Sequence, residues 1–163
     1  MRVLGLDPGL TCAGFGLLER KAGVIRAIDY GAIRTPRGPV PGRLAALYAE
    51  IDALITRYEP EAVAVERVLF NANTKTAMSV GQAAGVALLV AAQAGCEVAE
   101  YTANEVKQSV TGFGGADKRQ VQEMIARLLS LDTPPKPADA ADALGLALTH
   151  LHARKLRRLA AGA

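Results

Sequence analysis

Cysteine and histidine are scarce in this chain, and the positions of the cysteines exclude the common zinc and disulfide frameworks. The 163 residues include two cysteines and two histidines. Cys12 and Cys96 lie far apart and form no paired C-x-x-C spacing, so neither a zinc site nor a disulfide framework is indicated. A chain of this kind suits a reducing compartment, and we expect the protein to be cytoplasmic.

The N-terminus also lacks the apolar segment of a secretory signal. After Met1 and Arg2, a short apolar run ends at Asp7, whereas a signal peptide needs roughly 7–15 apolar residues. We therefore expect no secretion. The length is that of one ordinary domain and the chain contains no internal repeat, so we expect a single domain over residues 1–163.

Charge is absent from one long segment, residues 76–96, which is long enough to span a bilayer. Ser79, Gln82 and Gln93 interrupt it, and alanine and glycine outnumber leucine and isoleucine. This composition suits a helix buried between protein surfaces, where backbones approach closely. It predicts a helix in the core or at a dimer interface, and no membrane span.

The overall charge is weakly positive, with 19 basic and 16 acidic side chains and a net charge of +3. That balance is compatible with a polyanionic partner without requiring one. The run Arg154-Lys155-Leu156-Arg157-Arg158 contains no acid, and from about residue 154 it forms either a DNA-contacting tail or a solvated helix end. The second interpretation is the commoner one for such runs.

The order of apolar runs and turn residues predicts a mixed α/β sheet. Three strands come first, and a segment rich in proline and glycine follows them. The apolar spacing then changes from two to about 3.6, which predicts helices that alternate with further strands. The predicted elements are strands at residues 3–6, 12–18 and 24–33, a surface connection at 34–42, a helix at 43–58, a strand at 62–66, the uncharged helix, a strand at 97–101, a short helix at 104–110, a glycine-rich loop at 112–115, a helix at 117–131 and a last helix from about 138. Such an order indicates three antiparallel strands followed by parallel ones, with helices on both faces.

Asp7 and Glu66 each end a predicted strand, and the two strands are expected to be neighbours in the sheet. Ligand sites of open α/β sheets lie at the carboxyl edge of the strands. Two carboxylates brought together there repel one another, so they share a proton or hold a cation. We favour a divalent cation.

Asp139 and Asp142 are three residues apart at the start of the last predicted helix and therefore project from the same face. Taken alone, Asp139 is best interpreted as a helix cap. Asp142 lies among alanine and leucine, and its carboxylate needs a partner if it is buried. His150 and His152 lie two and three turns further along, too far to be ligands. Oxygen ligands without a histidine or cysteine cluster favour Mg²⁺ or Mn²⁺. Pairs of such ions about 4 Å apart hydrolyse phosphodiesters, which predicts 5′-phosphate ends.

These residues occur in an ordered set of motifs that resembles the bacterial RuvC Holliday-junction resolvases, a branch of the ribonuclease H-like superfamily. The similarity covers nearly the whole chain. The motifs are Leu4-Gly5-Leu6-Asp7-Pro8-Gly9, Val65-Glu66-Arg67-Val68, Val106-Lys107-Gln108 and Ala138-Asp139-Ala140-Ala141-Asp142-Ala143-Leu144.

The resemblance implies a ribonuclease H-like fold and a site of four carboxylates and two Mg²⁺ ions per subunit. It implies a homodimer that nicks two opposed strands of a four-way DNA junction symmetrically and prefers certain short sequences. It also implies work beside the RuvA and RuvB branch-migration proteins in recombination and repair. A junction with two-fold symmetry matches two active sites related by the same axis, and residues 78–94 resemble the family's interface helix.

The resemblance extends to residues that contact DNA. Lys107 and Lys118 match basic positions that the family uses near the scissile phosphate, although either lysine alone would more often be solvated. Some members carry an aromatic residue three positions after the glutamate, where this chain has Leu69 followed by Phe70. Either of these could wedge between bases, and packing of Phe70 in the core is about equally expected. Asn73, in the same loop, is a further candidate for DNA contact.

Two other functions fit parts of the sequence. Residues 7–11 also resemble the first phosphate loop of actin-like and sugar-kinase nucleotide-binding proteins, but those enclose the nucleotide with a second domain for which 163 residues leave no room. A non-catalytic nucleic-acid-binding module of the same fold is the other alternative. It predicts that Asp7→Asn leaves metal affinity and function unchanged.

Overall fold

The computed structural model describes the backbone of residues 1–67 and 74–161 and the side chains of residues 1–67 and 76–156. Within that part of the chain, strands and helices follow one another in the predicted order. The strands are β1 (Arg2–Asp7), β2 (Cys12–Lys21), β3 (Val24–Arg34), β4 (Ala62–Glu66) and β5 (Glu97–Tyr101). The helices are α1 (Val40–Tyr58), α2 (Thr74–Gln93), α3 (Ala103–Thr111), α4 (Lys118–Leu128) and α5 (Ala138–Ala161).

The five strands form one sheet in the order β3-β2-β1-β4-β5. Strands β1, β2 and β3 pair antiparallel, whereas β4 pairs parallel with both β1 and β5. The prediction of a mixed sheet, antiparallel first and parallel later, is therefore confirmed. The expected pairing of the first strand with the strand after the first crossover helix is also confirmed.

Helices cover both faces of the sheet, as predicted, and each face has its own hydrophobic core. Side chains of α3, α4 and α5 pack on one face, against Val3, Leu18 and Ala64. Side chains of α1 and α2 pack on the other, against Leu4, Leu17 and Val63. The alternation of neighbours such as Val3 and Leu4 between the two cores follows from the two-residue period of a strand.

Helix α1 begins at Val40, earlier than predicted. The surface connection predicted for residues 34–42 is correspondingly shorter. Pro41 lies in the first turn, where a missing N–H costs no hydrogen bond, and its fixed φ favours helix entry. The helix ends as predicted: Glu59 has φ 47°, in the left-handed region, and its N–H donates to the carbonyl of Ile55. Pro60 follows it directly.

Helices α3 and α4 both start with a capping box, in which the first side chain and a later one each accept from the other's backbone N–H. Thr102 and Glu105 form the box of α3, and Asp117 and Gln120 form that of α4. Helix α4 ends at Leu128, before the predicted residue 131. These two helices flank the glycine-rich loop and carry the two lysines singled out by sequence.

Helix α2 satisfies the length and composition of a membrane span over Thr76–Gln93, yet only 28% of that window is buried inside the chain. Its inner face, which includes Ala83, Ala87 and Val90, packs on the sheet. On the outer face Met78 is 67% and Leu89 51% exposed. The helix therefore has two apolar faces, one in the core and a second one uncovered.

Candidate active site

Asp7 and Glu66 lie side by side at the carboxyl edge of the sheet. Parallel pairing of Leu6 with Val65 places the next residue of each strand, Asp7 and Glu66, at the same level. The two carboxyl groups share a hydrogen bond. This juxtaposition is what the predicted strand order requires.

Helix α5 brings two further carboxylates to this edge. Carboxylate oxygens of Asp7, Asp139 and Asp142 all lie within 4.8 Å of one another. Glu66 lines the same pocket as Asp7 and Asp142. Acids separated by more than 130 positions along the chain therefore surround one small space, as the sequence predicted.

The start of α5 approaches the sheet closely because glycines lie beneath it. We call Gly5 of β1 with Gly14 and Gly16 of β2 the glycine patch. A Cβ atom at Gly5 would lie 1.9 Å from the carbonyl oxygen of Ala143, and one at Gly14 would lie 2.0 Å from the carbonyl oxygen of Asp139. Since these are backbone atoms, no rotamer change can relieve the overlap. The glycine patch thus sets how near the helix backbone, and with it Asp139, comes to Asp7.

Burial and mutual repulsion make Asp7 difficult to ionise. Burial, followed by the neighbouring charges of Glu66 and Asp142, raises the pKa of Asp7 from 3.8 to about 8. Burial also raises the pKa of Glu66, although its hydrogen bond with Asp7 acts in the opposite direction. An excess of negative charge in a confined space is the condition under which bound cations are most stabilising.

Two lysines line the same pocket as the acids. Lys118 Nζ donates to Asp142 Oδ2 at 2.8 Å, and this hydrogen bond raises the pKa of the lysine. Lys107 lines the same pocket from α3. The cavity has a volume of about 260 Å³, and Ala103, Val106, Val121 and Leu146 form its apolar walls. Clustered carboxylates beside two ammonium groups suit a metal ion and a phosphate at the same place.

Cys12 is a site residue that sequence reasoning missed. Its Sγ donates to Asp139 Oδ2 at 3.4 Å, and burial followed by this hydrogen bond raises the pKa of the thiol. A protonated thiol is therefore one of the groups that hold the Asp139 carboxylate. Cys12 opens β2, one strand away from Asp7, and the predicted hairpin was the available signal that it lies near the site.

In the part of the chain that the structure describes, neither histidine lines the pocket of the carboxylates. His150 is buried, and its Nδ1 lies 3.1 Å from the hydroxyl of Tyr101. His152 Nδ1 lies 3.2 Å from Ser109 Oγ on α3. Both side chains tie α5 to neighbouring elements, in line with the structural role expected of them.

Two other sequence expectations have different outcomes. Leu69, Phe70 and Asn73 lie outside the described residues, so their proposed contacts with DNA stay predictions. The basic segment from residue 154 continues α5, and Arg154 forms an ion pair with Glu97. Its first residues are therefore a helix end, and a contact with DNA stays a prediction.

The comparison with known proteins agrees with the geometry of the site. The family model described as crossover junction endodeoxyribonuclease RuvC matches residues 3–150. The chain is 53% identical over 153 residues to the crossover junction endodeoxyribonuclease RuvC of Chloroflexus aggregans, with 93% of each chain covered. It is 51% identical over 164 residues to that of Desulfitobacterium hafniense, with 100% of this chain and 99% of the relative covered.

A solved structure supports the same assignment at the level of the fold. RuvC of T. thermophilus in complex with a Holliday junction substrate matches with a TM-score of 0.89 and 37% identity, covering 96% of each chain. The residues that the family model matches include all four acids. The chain therefore belongs to the RuvC family of crossover junction endodeoxyribonucleases.

Proposed function

We propose that this chain resolves Holliday junctions by nicking two opposed strands of a four-way DNA junction symmetrically, in cytoplasmic DNA recombination and repair. The observation that carries the proposal is the convergence of the carboxylates of Asp7, Asp139 and Asp142 within 4.8 Å, in a chain of this family. The solved T. thermophilus relative holds a Holliday junction substrate. The whole sequence, residues 1–163, acts as one nuclease domain in this proposal.

The carboxylates fit a divalent cation by their chemistry. Asp7, Glu66, Asp139 and Asp142 offer only oxygen atoms, which Mg²⁺ and Mn²⁺ prefer over softer ligands. The raised pKa of Asp7, about 8, reflects burial first and then repulsion from Glu66 and Asp142, and a cation would relieve that repulsion. We propose two Mg²⁺ ions per subunit, with Mn²⁺ as a substitute. When bound, such a pair activates water and stabilises the leaving 3′ oxygen, which leaves 5′-phosphate ends.

The lysines complement this arrangement on the DNA side. Lys118 and Lys107 line the pocket that the acids line, so a phosphate entering it meets two ammonium donors. Lys118 is 2.8 Å from Asp142, and its positive charge limits the repulsion within the acidic cluster. We propose that both lysines hold the scissile phosphate while the acids hold the metal ions.

Helix α2 supplies the homodimer interface in this proposal. Its uncovered face carries small or apolar residues at spacings of three and four, which form one stripe of an α-helix. A Cβ atom added at Gly81 or Gly85 would meet nothing within 4 Å, so a second helix can approach closely there. A two-fold axis through α2 would relate two active sites as the arms of a junction are related. Covering this face with a second copy, not with lipid, agrees with the expectation of no membrane contact.

The remaining parts of the proposal concern partners and specificity. We propose that the dimer acts beside the RuvA and RuvB branch-migration proteins. The loop that holds Leu69, Phe70 and Asn73 would contact the crossover and contribute to sequence preference. Family membership does not support the nucleotide-binding alternative, whereas the non-catalytic module remains open to a direct test.

The test compares a synthetic four-way junction with a matching linear duplex, each incubated with the pure protein with or without Mg²⁺ or Mn²⁺. We expect paired nicks in the junction alone, only when a divalent ion is present. Ligase should reseal the nicks, because ligation requires 5′-phosphate ends. Asp7→Asn or Glu66→Gln should abolish cleavage and preserve junction binding, since phosphate contacts and metal ligands are different groups.

Asp52→Asn is the matched control, because it removes an acid from the exposed surface of α1 and should leave cleavage unchanged. Cleavage that persists undiminished in Asp7→Asn would refute the catalytic role of the cluster and favour a non-catalytic module. Binding of a nucleotide without any DNA cleavage would instead favour the nucleotide-binding alternative.

A further inference from the structure

Phe113 is the exposed aromatic ring closest in sequence to the two lysines of the site. It lies in the loop between α3 and α4, and 65% of its surface is exposed. A phenyl ring has no polar atom to solvate, and burial of such a side chain is worth about 1.5–3 kcal/mol. An exposed ring at this position is therefore available to an apolar, flat ligand.

The loop that presents this ring is held in a defined shape. Gly112 ends α3 with φ 75° and its N–H donates to the carbonyl of Gln108. The Gln108 side chain donates back to the carbonyl of Gly112 at 2.9 Å. Thr111 Oγ1 accepts from the N–H of Phe113 at 3.1 Å. A preorganised loop loses little entropy when a ligand binds, which favours recognition.

Gly115 gives the ring its position. A Cβ atom at Gly115 would lie 2.5 Å from the ring carbon Cζ of Phe113, so the ring lies directly over this glycine. The clash would be with the end of a side chain and not with backbone. A larger residue at 115 would therefore displace the ring without unfolding the loop.

A pocket of about 270 Å³ opens beside the ring. Phe113 and Met124 give it an apolar wall, and Gln120, Glu123 and Arg127 give it a polar rim. It lies across α4 from the carboxylate pocket, which the same helix lines with Lys118 and Val121. The distance from one side of a helix to the other is about 10 Å, so the two pockets are one or two nucleotides apart.

The chemistry of this second pocket suits a nucleobase better than a phosphate. Glu123 contributes a carboxylate to its rim, and a carboxylate repels phosphate but accepts hydrogen bonds from the amino group of a base. Arg119 Nε donates to Glu123 Oε1 at 2.8 Å on the exposed surface of α4. The aromatic ring offers a stacking surface that every base can use.

We propose that the pocket beside Phe113 receives a nucleobase of the junction, unstacked next to the crossover, with the base stacked on the Phe113 ring. This inference rests on the proposed function, because it assigns a further DNA contact to the same site. Phe113 acts in it as a binding residue for DNA. The carboxylates and the lysines act on the phosphate one or two nucleotides away.

The experiment places 2-aminopurine at single positions within three nucleotides of the crossover, in the full-length protein's complex with a four-way junction and without Mg²⁺ or Mn²⁺. Binding should change the fluorescence at one position, because the base leaves its stack and meets the ring. Phe113→Ala should remove that change and weaken junction binding about 5- to 100-fold. Phe113→Tyr should keep both.

Two further variants make the test specific. Gly115→Ala displaces the ring and should also reduce the fluorescence change. Leu128→Ala removes an exposed apolar side chain, 42% exposed, from the far end of α4 and should behave as the unaltered protein. If Phe113→Ala matches Leu128→Ala, or if Phe113→Tyr loses as much as Phe113→Ala, the ring does not bind a base and the inference is overturned.

Cleavage of unlabelled junctions by the unaltered protein separates this inference from the proposed function. Junctions that are cut while every 2-aminopurine position stays silent would overturn the base pocket and leave the resolvase proposal standing. No cleavage by the unaltered protein would overturn the proposed function itself.

Discussion

Asp7 combines burial with nearby negative charge. Its pKa in the folded chain is about 8, against 3.8 as the ordinary value, in the absence of a metal ion. The folded state therefore holds the Asp7 proton more tightly than the unfolded state. The stability that this proton contributes is present at pH values below about 4 and is lost as the pH rises towards 8.

We accordingly predict that the metal-free protein becomes less stable as the pH rises from about 4 to 8, by an amount on the order of a few kcal/mol. Thermal unfolding followed by circular dichroism in EDTA would measure this. Asp7→Asn should flatten the dependence, and added Mg²⁺ should oppose it, because the metal binds the ionised carboxylates. Identical pH profiles for Asp7→Asn and the unaltered chain would contradict the assignment.

The residue scale also separates what a sequence can predict from what it cannot. Asp7, Glu66 and Asp142 could be found because an acid at a strand end or on an apolar helix conflicts with its surroundings. Cys12 gives no such conflict, since a cysteine after a turn is compatible with its surroundings, and the predicted pairing of the first strands says only that it lies near the site. Its contact with Asp139 depends on the start of β2 lying under α5, and that is a fact of tertiary structure.

At the scale of elements, the position of α5 on the sheet decides the geometry of the site. The glycine patch lets the helix backbone touch β1 and β2, and no side chain keeps them apart. Glycine within a strand often marks the close approach of another backbone. The sequence contained this signal at Gly14 and Gly16, although periodicity alone does not say which helix approaches.

We predict that Gly14→Ala moves the start of α5 away from the sheet and impairs metal binding. The added Cβ would lie 2.0 Å from the carbonyl oxygen of Asp139, and overpacking of this kind costs about 1–3 kcal/mol. Cleavage should fall on the order of 100-fold, since a shift of about 1 Å in a catalytic group has that effect. Calorimetric titration with Mn²⁺ and a cleavage assay would measure the two losses.

The control is Gly42→Ala, in α1, where an added Cβ atom meets nothing within 4 Å. It should leave metal affinity unchanged. Unaltered Mn²⁺ affinity in a folded Gly14→Ala protein would mean that the helix backbone can move without carrying Asp139 away.

The boundaries of elements were less predictable than their order. Helix α1 starts at Val40 and not at residue 43, because Pro41 can occupy a first turn as readily as it can end a strand. Strand β2 runs on to Lys21, where polar residues continue a hairpin with β3. In both cases backbone hydrogen bonding decides the boundary, which lies outside the apolar pattern.

At the scale of the whole molecule, the main feature is the apolar outer face of α2, which the described part of the chain does not cover. The sequence predicted a helix in the core or at a dimer interface; its inner face lies in the core, and Leu89 on the other face is 51% exposed. Composition could say that both faces are apolar. It could not say which one faces the sheet.

We predict that Leu89→Glu converts the protein to a monomer, because a two-fold axis through α2 would bring the two added charges together. Sedimentation velocity at several concentrations would measure the change. Paired cleavage of a junction should decrease and single nicks should accumulate. Ile28→Glu, at a 45% exposed position of β3, is the matched control and should leave the dimer intact. A monomeric unaltered chain would contradict this placement of the interface.

The attachment of Asp139 and Asp142 to the last helix has a consequence for biosynthesis. Synthesis proceeds from the N-terminus, so a growing polypeptide exposes Asp7 and Glu66 long before residues 138–151 have left the ribosome. Only when that helix settles on the glycine patch do all four acids surround one space. Under the proposed function, a nascent polypeptide without this helix cannot cut DNA, and nuclease activity begins only once the helix has packed on the sheet.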